Sequence, residues 1–212
     1  MKKIHALGVG HATPEYIEFA QQCGYSVAAL WHYAPGRTGE RICGAEIRGS
    51  FDDLLSLPTL EGMDFLLTMG DNRIRSELIG KILAKGGRVP TLIHPTSIIS
   101  TSASISPVGV LILPFCFIRP ATKICRGTIV ESHCSIGHDV SIGTGCFLAS
   151  GAIVGAYARV GERVLWGMGA ISISGKANVG DDAVIGAGAV LTRDVAPRTT
   201  VAGNPARPID RQ

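Results

Sequence analysis

From residue 93 onward, large apolar residues recur every six positions along the chain. The regular series is Ile112, Ile118, Ile124, Val130, Ile136, Ile142, Leu148, Val154, Val160 and Trp166. A seven-residue step then leads to Ile173, Val179, Ile185 and Leu191, and a similar step upstream joins Ile93, Ile99 and Ile105. Two positions before each of these the residue is usually small, as at Cys116, Thr122, Thr128, Cys134, Cys146 and Ala152. Because three hexads make one triangular coil, the pattern predicts a left-handed parallel β-helix of hexapeptide repeats, about five coils long.

Residues 1–92 show a different pattern, in which strand-like and helix-like segments alternate. Strands are predicted at 3–9, 26–31, 63–69 and 92–93, and helices from Pro14 to Gly24, over 51–57 and from Asp71 or Asn72 to Ala84, with Ile74, Leu78, Ile79 and Ile82 on the buried side of the last. This alternation predicts a small Rossmann-like α/β domain with a parallel sheet. The chain is therefore expected to divide into residues 1–92 and 93–212.

Composition and charge narrow the function classes. The 212 residues include 27 glycines, 46% are apolar and 17% are charged, which excludes a disordered chain. A net charge of +3 is too small to imply a nucleic acid or an acidic membrane as partner. The longest apolar stretch, 108–118, has eleven residues and contains Pro114, whereas a membrane span needs about 20. We expect a cytoplasmic protein with neither nucleic acid nor membrane as partner.

Four short motifs contain candidate binding or catalytic residues. Their sequences are Gly8-Val9-Gly10-His11, Gly70-Asp71-Asn72-Arg73-Ile74-Arg75, Ile136-Gly137-His138-Asp139 and Val201-Ala202-Gly203-Asn204-Pro205-Ala206-Arg207. Together with the order of the two domains, these motifs resemble the bacterial sugar acyltransferase family over nearly the whole chain. That family includes sialic acid O-acetyltransferases and the N-acetyltransferases of nucleotide-linked 4-amino sugars.

The resemblance implies that His138 is a general base and that Asp139 orients its ring. An imidazole with an ordinary pKa near 6.5 suits proton removal from an attacking amine near neutral pH, and a carboxylate partner holds and stabilises such a ring. The alternative is a surface histidine beside a turn aspartate. His133 either lines the same cleft or lies on the surface. The family assembles as homotrimers, so the active sites are expected between subunits.

The expected sugar site lies at the ends of the first-domain strands. Gly8 and Gly10 form a turn whose amides, at a helix start, would hold an anion such as a pyrophosphate, and His11 resembles the residue that frames the sugar. Asn72 and Arg75 follow the 63–69 strand, where open α/β sheets bind ligands. The alternative for this pair is helix capping beside a solvated Arg75.

Two positions depart from the family pattern. Relatives acting on UDP-sugars usually have acidic residues where this chain has Trp31-His32. Here Trp31 or Tyr33 would stack on a base or sugar ring, and Arg37 would meet a phosphate. The family often has a second histidine nine residues after the catalytic one, and this chain has Phe147 there. The absence of that second histidine removes a hydrogen-bond donor near the thioester.

The resemblance also implies acetyl coenzyme A as the acyl donor, lying along the β-helix, with no metal ion. The residues expected to line its site are Phe147, Gly155, Ala156, Gly186, Gly188, Arg193, Gly203, Pro205 and Arg207. The glycines would let an extended pantetheine arm approach the backbone, and the two arginines would meet phosphates. The alternative is a plain cap on the solenoid with exposed arginines.

These expectations combine into an acetyl-CoA-dependent acetyltransferase that acts directly on the amino group of a nucleotide-linked 4-amino-dideoxy sugar. O-acetylation of sialic acid or another glycan is the main alternative. A non-catalytic trimeric binding protein is a second. The third is a zinc hydratase, because the five-residue spacing of His133 and His138 also occurs in β-helical carbonic anhydrases. That reading requires a third histidine two coils earlier, where positions 97 and 102 are serine.

Overall fold

The structure is a computed structural model that describes residues 1–175 and 177–210. It divides into two compact units, Met1–Leu92 and Ile93–Gln212. The elements of the first unit are β1 (Lys2–Leu7), α1 (Thr13–Gln22), β2 (Tyr25–His32), a 3-10 turn (Pro35–Arg37), β3 (Arg41–Ile42), β4 (Ala45–Ser50), α2 (Phe51–Ser56), β5 (Phe65–Leu67) and α3 (Asn72–Ala84).

The first unit is built on a five-stranded sheet in the order β3-β4-β2-β1-β5. Every pair is parallel except β3 with β4. Strand β1 lies between β2 and β5, so the chain order reverses at β1. Ligands of open α/β sheets bind at such a reversal, outside the carboxyl ends of the two strands. The topology therefore predicts a ligand site at the carboxyl ends of β1 and β5.

Local capping explains where the helices of this unit begin and end. The Asp71 carboxylate accepts hydrogen bonds of 2.9 Å from the amides of Arg73 and Ile74, so Asp71, and not Asn72, is the N-cap of α3. A capping box between Ser50 and Asp53 starts α2. Helix α1 ends at Gln22, with Cys23 as its C-cap, so it stops two residues before the predicted terminator Gly24, which has a φ of 86°.

Four predictions for this unit need correction. The β3–β4 hairpin was missed because its strands are short and its turn, Cys43-Gly44, carries no strong sequence signal. Strand β5 covers only Phe65–Leu67 of the predicted 63–69. The 92–93 strand pairs within the second unit's sheets instead of this one. Ile74 is half-exposed, whereas Leu78, Ile79 and Ile82 are buried as predicted.

The second unit is a parallel β-helix whose short strands form three faces. The first face contains β7 (Ile98–Ile99), β10 (Phe117–Ile118), β13 (Ser135–Ile136), β16 (Ile153–Val154), β19 (Ile171–Ser172) and β22 (Val190–Leu191). The second contains β8 (Ser104–Ile105), β11 (Lys123–Ile124), β14 (Ser141–Ile142), β17 (Arg159–Val160) and β20 (Asn178–Val179). The third contains β6 (Leu92–Ile93), β9 (Leu111–Ile112), β12 (Ile129–Val130), β15 (Phe147–Leu148), β18 (Leu165–Trp166), β21 (Val184–Ile185), β23 (Thr200–Ala202) and β24 (Arg207–Pro208).

The interior follows the hexad pattern with one correction. All ten residues from Ile112 to Trp166 in the six-residue series are buried, and the small residues before them are buried beside them. At the next position the buried side chain is Ser172 (3% exposed), and Ile173 is 50% exposed. The Ser172 hydroxyl accepts a hydrogen bond of 2.9 Å from the Gly155 amide, which satisfies both groups inside the coil. The extra residue of the seven-residue step therefore follows Ser172.

The cysteines of the repeat are structural, as the small inward positions predict. Cys116, Cys134 and Cys146 are buried, and their thiols donate to backbone carbonyl oxygens of the next coil. Hydrogen bonding to Cys116, together with burial, raises the pKa of the Cys134 thiol. A buried thiol with a raised pKa is a poor nucleophile.

The faces of the β-helix differ in polarity. Outward residues of the first face include the exposed apolar side chains Ile98, Phe117, Ile153 and Ile171. Outward residues of the second face are Ser104, Lys123, Ser141, Arg159 and Asn178. The first face thus exposes a row of apolar residues interrupted by Ser135, which lies between Phe117 and Ile153, and the second face exposes polar residues. Such a row is unusual on the surface of an isolated soluble chain.

Candidate active site

A cavity of about 440 Å³ lies at the carboxyl ends of β1 and β5, where the topology places a ligand site. Its walls are the 8–11 turn, the start of α1, the 68–70 loop and the side chains of Tyr33, Phe51 and Ile74. The predicted residues Gly8, Gly10 and His11 all line it. The cavity is mostly apolar, and the ionisable side chains among its lining residues are His11 and the phenols of Tyr16 and Tyr33.

The glycine turn is joined closely to the loop after β5. Gly8 has a φ of 98°, and a Cβ there would lie 3.0 Å from the Met69 nitrogen. The Thr68 hydroxyl donates to the Gly8 carbonyl oxygen at 2.7 Å. The Gly10 amide donates to the Thr13 hydroxyl at 2.8 Å, so this amide already has a partner. Thr68 was not predicted; its position at the end of a buried strand is the available signal.

Arg75 and Asn72 are placed beneath the cavity wall. Arg75 is 1% exposed. Its guanidinium donates to the Met69 carbonyl oxygen and to the Asn72 side-chain oxygen, each at 2.7 Å. The alternative of a solvated Arg75 is therefore wrong, and neither of the two residues expected at the sugar site lines the cavity. Arg75 supports the 69–72 loop from behind, and that loop forms part of the cavity.

The segment after β2 presents one aromatic ring to the cavity. Trp31 and His32 are buried; the Trp31 indole donates to His5 Nδ1 at 3.3 Å and the Ala34 amide donates to His32 Nδ1 at 2.9 Å. Tyr33 is 75% exposed, with its ring centroid 4.1 Å from that of His32. Of the two residues expected to stack on a ring, Tyr33 is therefore the one that the structure exposes at the cavity.

Arg37 lies on the exposed 3-10 turn beyond β2. Its guanidinium forms an ion pair of 2.6 Å with Glu40. The hydrogen bond to Glu40 raises the pKa of Arg37 and lowers the pKa of Glu40. A phosphate at Arg37 would therefore share the guanidinium with this carboxylate.

In the second unit, His138 and Asp139 form a pair at the corner between the first and second faces. The His138 Nδ1 lies 2.8 Å from Asp139 Oδ2. Because a carboxylate only accepts, Nδ1 carries the proton and Nε2 presents its lone pair. Asp139 has a φ of 56°, and its amide donates to the Pro120 carbonyl oxygen at 3.0 Å. The corner backbone thus fixes the carboxylate, which in turn fixes the tautomer.

Tyr157, which sequence reasoning missed, packs against this pair from the next coil. Its ring centroid lies 4.9 Å from that of His138, with an interplanar angle of 85°. The signal was available, because Tyr157 follows Asp139 by 18 residues in the repeat. His133 lies at a different corner, between the third and first faces, where its ring centroid is 5.1 Å from that of Phe115.

The expected donor residues fall into two groups. Gly155, Ala156 and Gly186 serve coil stacking: a Cβ at position 155 would lie 2.5 Å from the Ile173 backbone, Ala156 is buried, and a Cβ at position 186 would lie 3.0 Å from the Ala202 Cβ. Phe147 lies half-buried on the third face. By contrast, Gly188 has a φ of 67° and open space on its Cβ side.

The predicted arginines meet at the C-terminal end of the β-helix. A cavity of about 340 Å³ is lined by Arg193 and Arg207 together with apolar residues such as Leu191 and Val201. Gly203, with a φ of 93°, and Pro205, which follows a cis peptide bond, form the turn between β23 and β24. Asp194 also lines this cavity, so one carboxylate stands against two cations. The excess of positive charge and the apolar floor suit an anionic ligand with an apolar part.

The strand registers place Arg193 and His138 at the same corner. Ile136 pairs with Val154, Ile153 with Ile171, and Ser172 with Leu191. His138 and Arg193 each follow their inward residue by two positions, three coils apart. At a spacing of about 4.8 Å per strand, this separation is on the order of 14 Å along the axis.

Two negative findings concern the described residues. None of their helices is long and apolar enough to cross a membrane. Residues 1–175 and 177–210 contain no group of three or more His, Cys, Asp or Glu side chains arranged to hold a metal ion.

Solved structures resemble the chain over its full length. PerB from Caulobacter crescentus, in complex with CoA and GDP-perosamine, is 27% identical with a TM-score of 0.89, covering 99% of this chain and 98% of that chain. The acetyltransferase domain of PglB from Neisseria gonorrhoeae is 30% identical with a TM-score of 0.87, covering 99% and 100%. The chain belongs to the bacterial sugar acyltransferase family. WeeI from Acinetobacter baumannii, at 21% identity and a TM-score of 0.73, shares the fold of this acyltransferase.

Curated sequences match part of the acyltransferase. Serine acetyltransferase of Mycobacterium tuberculosis is 36% identical over 113 residues, which is 52% of this chain and 47% of that protein. The chain thus spans about half the length of this relative, and less of others. No model of a protein family matches the sequence.

Proposed function

We propose that this acyltransferase transfers the acetyl group of acetyl-CoA to the amino group of a nucleotide-linked 4-amino-dideoxy sugar. The observation that carries the proposal is the His138–Asp139 contact of 2.8 Å, which leaves Nε2 as a base at an open corner. The full-length similarity to PerB, whose solved complex holds CoA and GDP-perosamine, supports the two substrates.

The reaction is a direct acyl transfer. The amine nitrogen of the sugar attacks the thioester carbonyl carbon, a C–N bond forms, and the carbonyl oxygen becomes an oxyanion. His138 Nε2 takes a proton from the attacking nitrogen, and Asp139 stabilises the resulting imidazolium. The C–S bond then breaks and the CoA sulfur leaves, accepting that proton from His138 as the thiol forms. The buried cysteines supply no nucleophile, so no acyl-enzyme forms.

The donor extends along the corner that joins His138 to Arg193. Arg193 and Arg207 hold the CoA phosphates at the C-terminal cavity, three coils from the base. Gly188 has open space beside its α-carbon but lies at the other edge of the first face, at the corner between the third and first faces, so it belongs to the proposed donor site without lying on the His138–Arg193 corner. Phe147, Gly203 and Pro205 belong to the same proposed donor site. Gly155, Ala156 and Gly186 contribute by allowing the close coil stacking described above.

The first unit, which we assign as Rossmann-like, binds the nucleotide sugar in its 440 Å³ cavity. The Tyr33 ring stacks on the base or sugar, and His11 approaches the sugar end. The start of α1 provides a positive helix end for the pyrophosphate. Arg37 meets a phosphate while sharing its guanidinium with Glu40. Trp31, His32, Asn72 and Arg75 act behind the cavity wall.

The working form is a cytoplasmic homotrimer of left-handed β-helices, with active sites between subunits. The apolar row Ile98, Phe117, Ile153 and Ile171 on the first face supports burial against a second copy. The first face borders the His138 corner, so an interface there would enclose the proposed base.

Release of CoA thiol across an acceptor panel tests this function. The panel holds UDP-, GDP- and dTDP-linked 4-amino-dideoxy sugars and free and CMP-linked sialic acid, with His138→Asn as the test variant and His133→Asn as its matched control. We expect turnover of an amino sugar, a loss of at least about a thousandfold in His138→Asn, and wild-type rates in His133→Asn. Turnover of sialic acid alone would replace this function by O-acetylation. No turnover on any acceptor, despite intact CoA binding, would overturn it.

A further inference from the structure

Tyr157 is a corner residue of the β-helix and adopts a φ of 65°, in the left-handed region. Other corners share this conformation, as Phe115 does with a φ of 61°. The same position of this corner is Ala121 and Asp139 on the preceding coils and Gly175 on the next, with φ values of 56°, 56° and 108°. Tyr157 is 56% exposed and is the aromatic residue among these four.

The contact that Tyr157 makes is with the His138–Asp139 pair. The Tyr157 amide donates to the His138 carbonyl oxygen at 3.1 Å, which fixes the corner of one coil to the corner of the next. The phenol ring meets the imidazole edge to face at 4.9 Å. The left-handed backbone is therefore the conformation that places this ring against the imidazole.

We infer that Tyr157 is a positioning residue, whose ring holds the His138 imidazole in the orientation that keeps Nδ1 on Asp139 and Nε2 free. Within one chain His138 has 40% and Asp139 49% of its side chain exposed, so burial inside the coil holds neither. The carboxylate contact fixes one ring atom, and the imidazole can still rotate about its side-chain bonds away from that contact. An aromatic ring at right angles to the imidazole opposes that rotation. This inference rests on the proposed role of His138 as base.

Two substitutions separate the ring from the backbone strain. Tyr157→Gly removes the ring and relieves the left-handed conformation, and Tyr157→Phe retains the ring. Ala121→Gly relieves a left-handed residue of the same corner column without touching His138, and is the matched control. We expect Tyr157→Gly to lower kcat by about three- to tenfold, with little change in the KM for acetyl-CoA, while Tm stays level or rises by about 2–4 °C. Tyr157→Phe and Ala121→Gly retain wild-type kcat.

A spectroscopic measurement distinguishes positioning from a general structural role. Nitrogen-15 NMR of the His138 ring in the full-length protein reports its tautomer. Wild type and Tyr157→Phe should show mainly the Nδ1–H form, and Tyr157→Gly should show a mixture of tautomers. Wild-type kcat and a single tautomer in Tyr157→Gly, alongside an inactive His138→Asn, would overturn the role of Tyr157 alone. Full activity in His138→Asn would overturn the proposed base itself, so the two failures are distinguishable.

Discussion

The Arg75 guanidinium donates a hydrogen bond of 2.7 Å to the Met69 carbonyl oxygen from a position that is almost completely buried. A second bond of 2.7 Å reaches the Asn72 side chain. A buried cation thereby holds the loop between β5 and α3, and this loop forms one wall of the cavity at the carboxyl ends of β1 and β5 in the first unit.

Replacing this cation should loosen the wall. Arg75→Met leaves the Met69 carbonyl without this donor inside the protein, and hydrogen bonds to charged groups contribute about 1.5–3 kcal/mol each. We expect the free energy of unfolding to fall by about 3 kcal/mol in urea titrations and the KM for the sugar nucleotide to rise. Arg75→Lys, which keeps the charge and a single point of donation, should lose less. An unchanged KM in a folded Arg75→Met protein would contradict this role.

Gly8 and Gly10 should respond differently to the same substitution. Gly8→Ala forces a side chain into a left-handed conformation and places its Cβ 3.0 Å from Met69, so we expect a loss of about 1–3 kcal/mol in stability and weaker nucleotide binding. Gly10→Ala has no atom within 4 Å of the added carbon and should fold with an unchanged Tm. Thermal unfolding and calorimetric titration would compare them. Equal losses of stability in Gly8→Ala and Gly10→Ala would contradict the close contact between the glycine turn and the loop after β5.

The proton on His138 gives a prediction about Asp139. Asp139→Asn keeps the shape of the side chain, but an amide NH₂ can donate to Nδ1 and thus favour the tautomer whose Nε2 carries hydrogen. That tautomer has no lone pair for the amine proton. We expect kcat to fall by on the order of 10²–10⁴. Asp139→Ala leaves the tautomer unbiased and should lose less, so the reverse order in steady-state rates would argue against this assignment.

Because of His5, we expect the folded protein to lose stability as the pH falls below neutrality. It lies between the rings of Trp31 and Phe65, and burial, followed by the charge of Arg48, lowers its pKa below the ordinary 6.5. The unfolded chain therefore binds a proton more readily than the folded one. The contribution of His5 to the free energy of unfolding is therefore fully present above about pH 6.5. It is lost as the pH falls through the pKa that His5 has in the folded protein, which is lower. Between pH 8 and pH 5 the unfolding midpoint should fall further for wild type than for His5→Gln. If the midpoints of the two proteins change in parallel with pH, this role of His5 is contradicted.

The periodic part of the fold was predictable because each coil repeats one local rule. Inward side chains every six residues were read correctly from Ile112 to Trp166, and the pattern failed only where a serine takes the inward position. Ser172 is small and polar, so a search for large apolar residues passes to Ile173. Only the structure shows that the Gly155 amide satisfies the Ser172 hydroxyl.

The site was predictable where a motif lies on a single turn and not where distant segments meet. His138 and Asp139 are neighbours in sequence, and their contact followed from the motif. The burial of Arg75 and Trp31, and the exposure of Tyr33 beside the cavity, depend on how helices and strands pack. Tyr157 was missed because a contact between successive coils joins residues 19 positions apart.

In the proposed donor site, the common corner of His138 and Arg193 makes the β-helix a ruler for the donor. Adding or deleting one complete coil between them would change their separation by one strand spacing, about 4.8 Å, and would leave their orientations alike. The additional residue between β19 and β20 also falls in this interval, and it is accommodated within a corner while the strands on either side keep their pairing. The length of ligand that fits between the two residues therefore changes only when a whole coil is added or removed. The shape of a corner loop, by contrast, can change by a single residue.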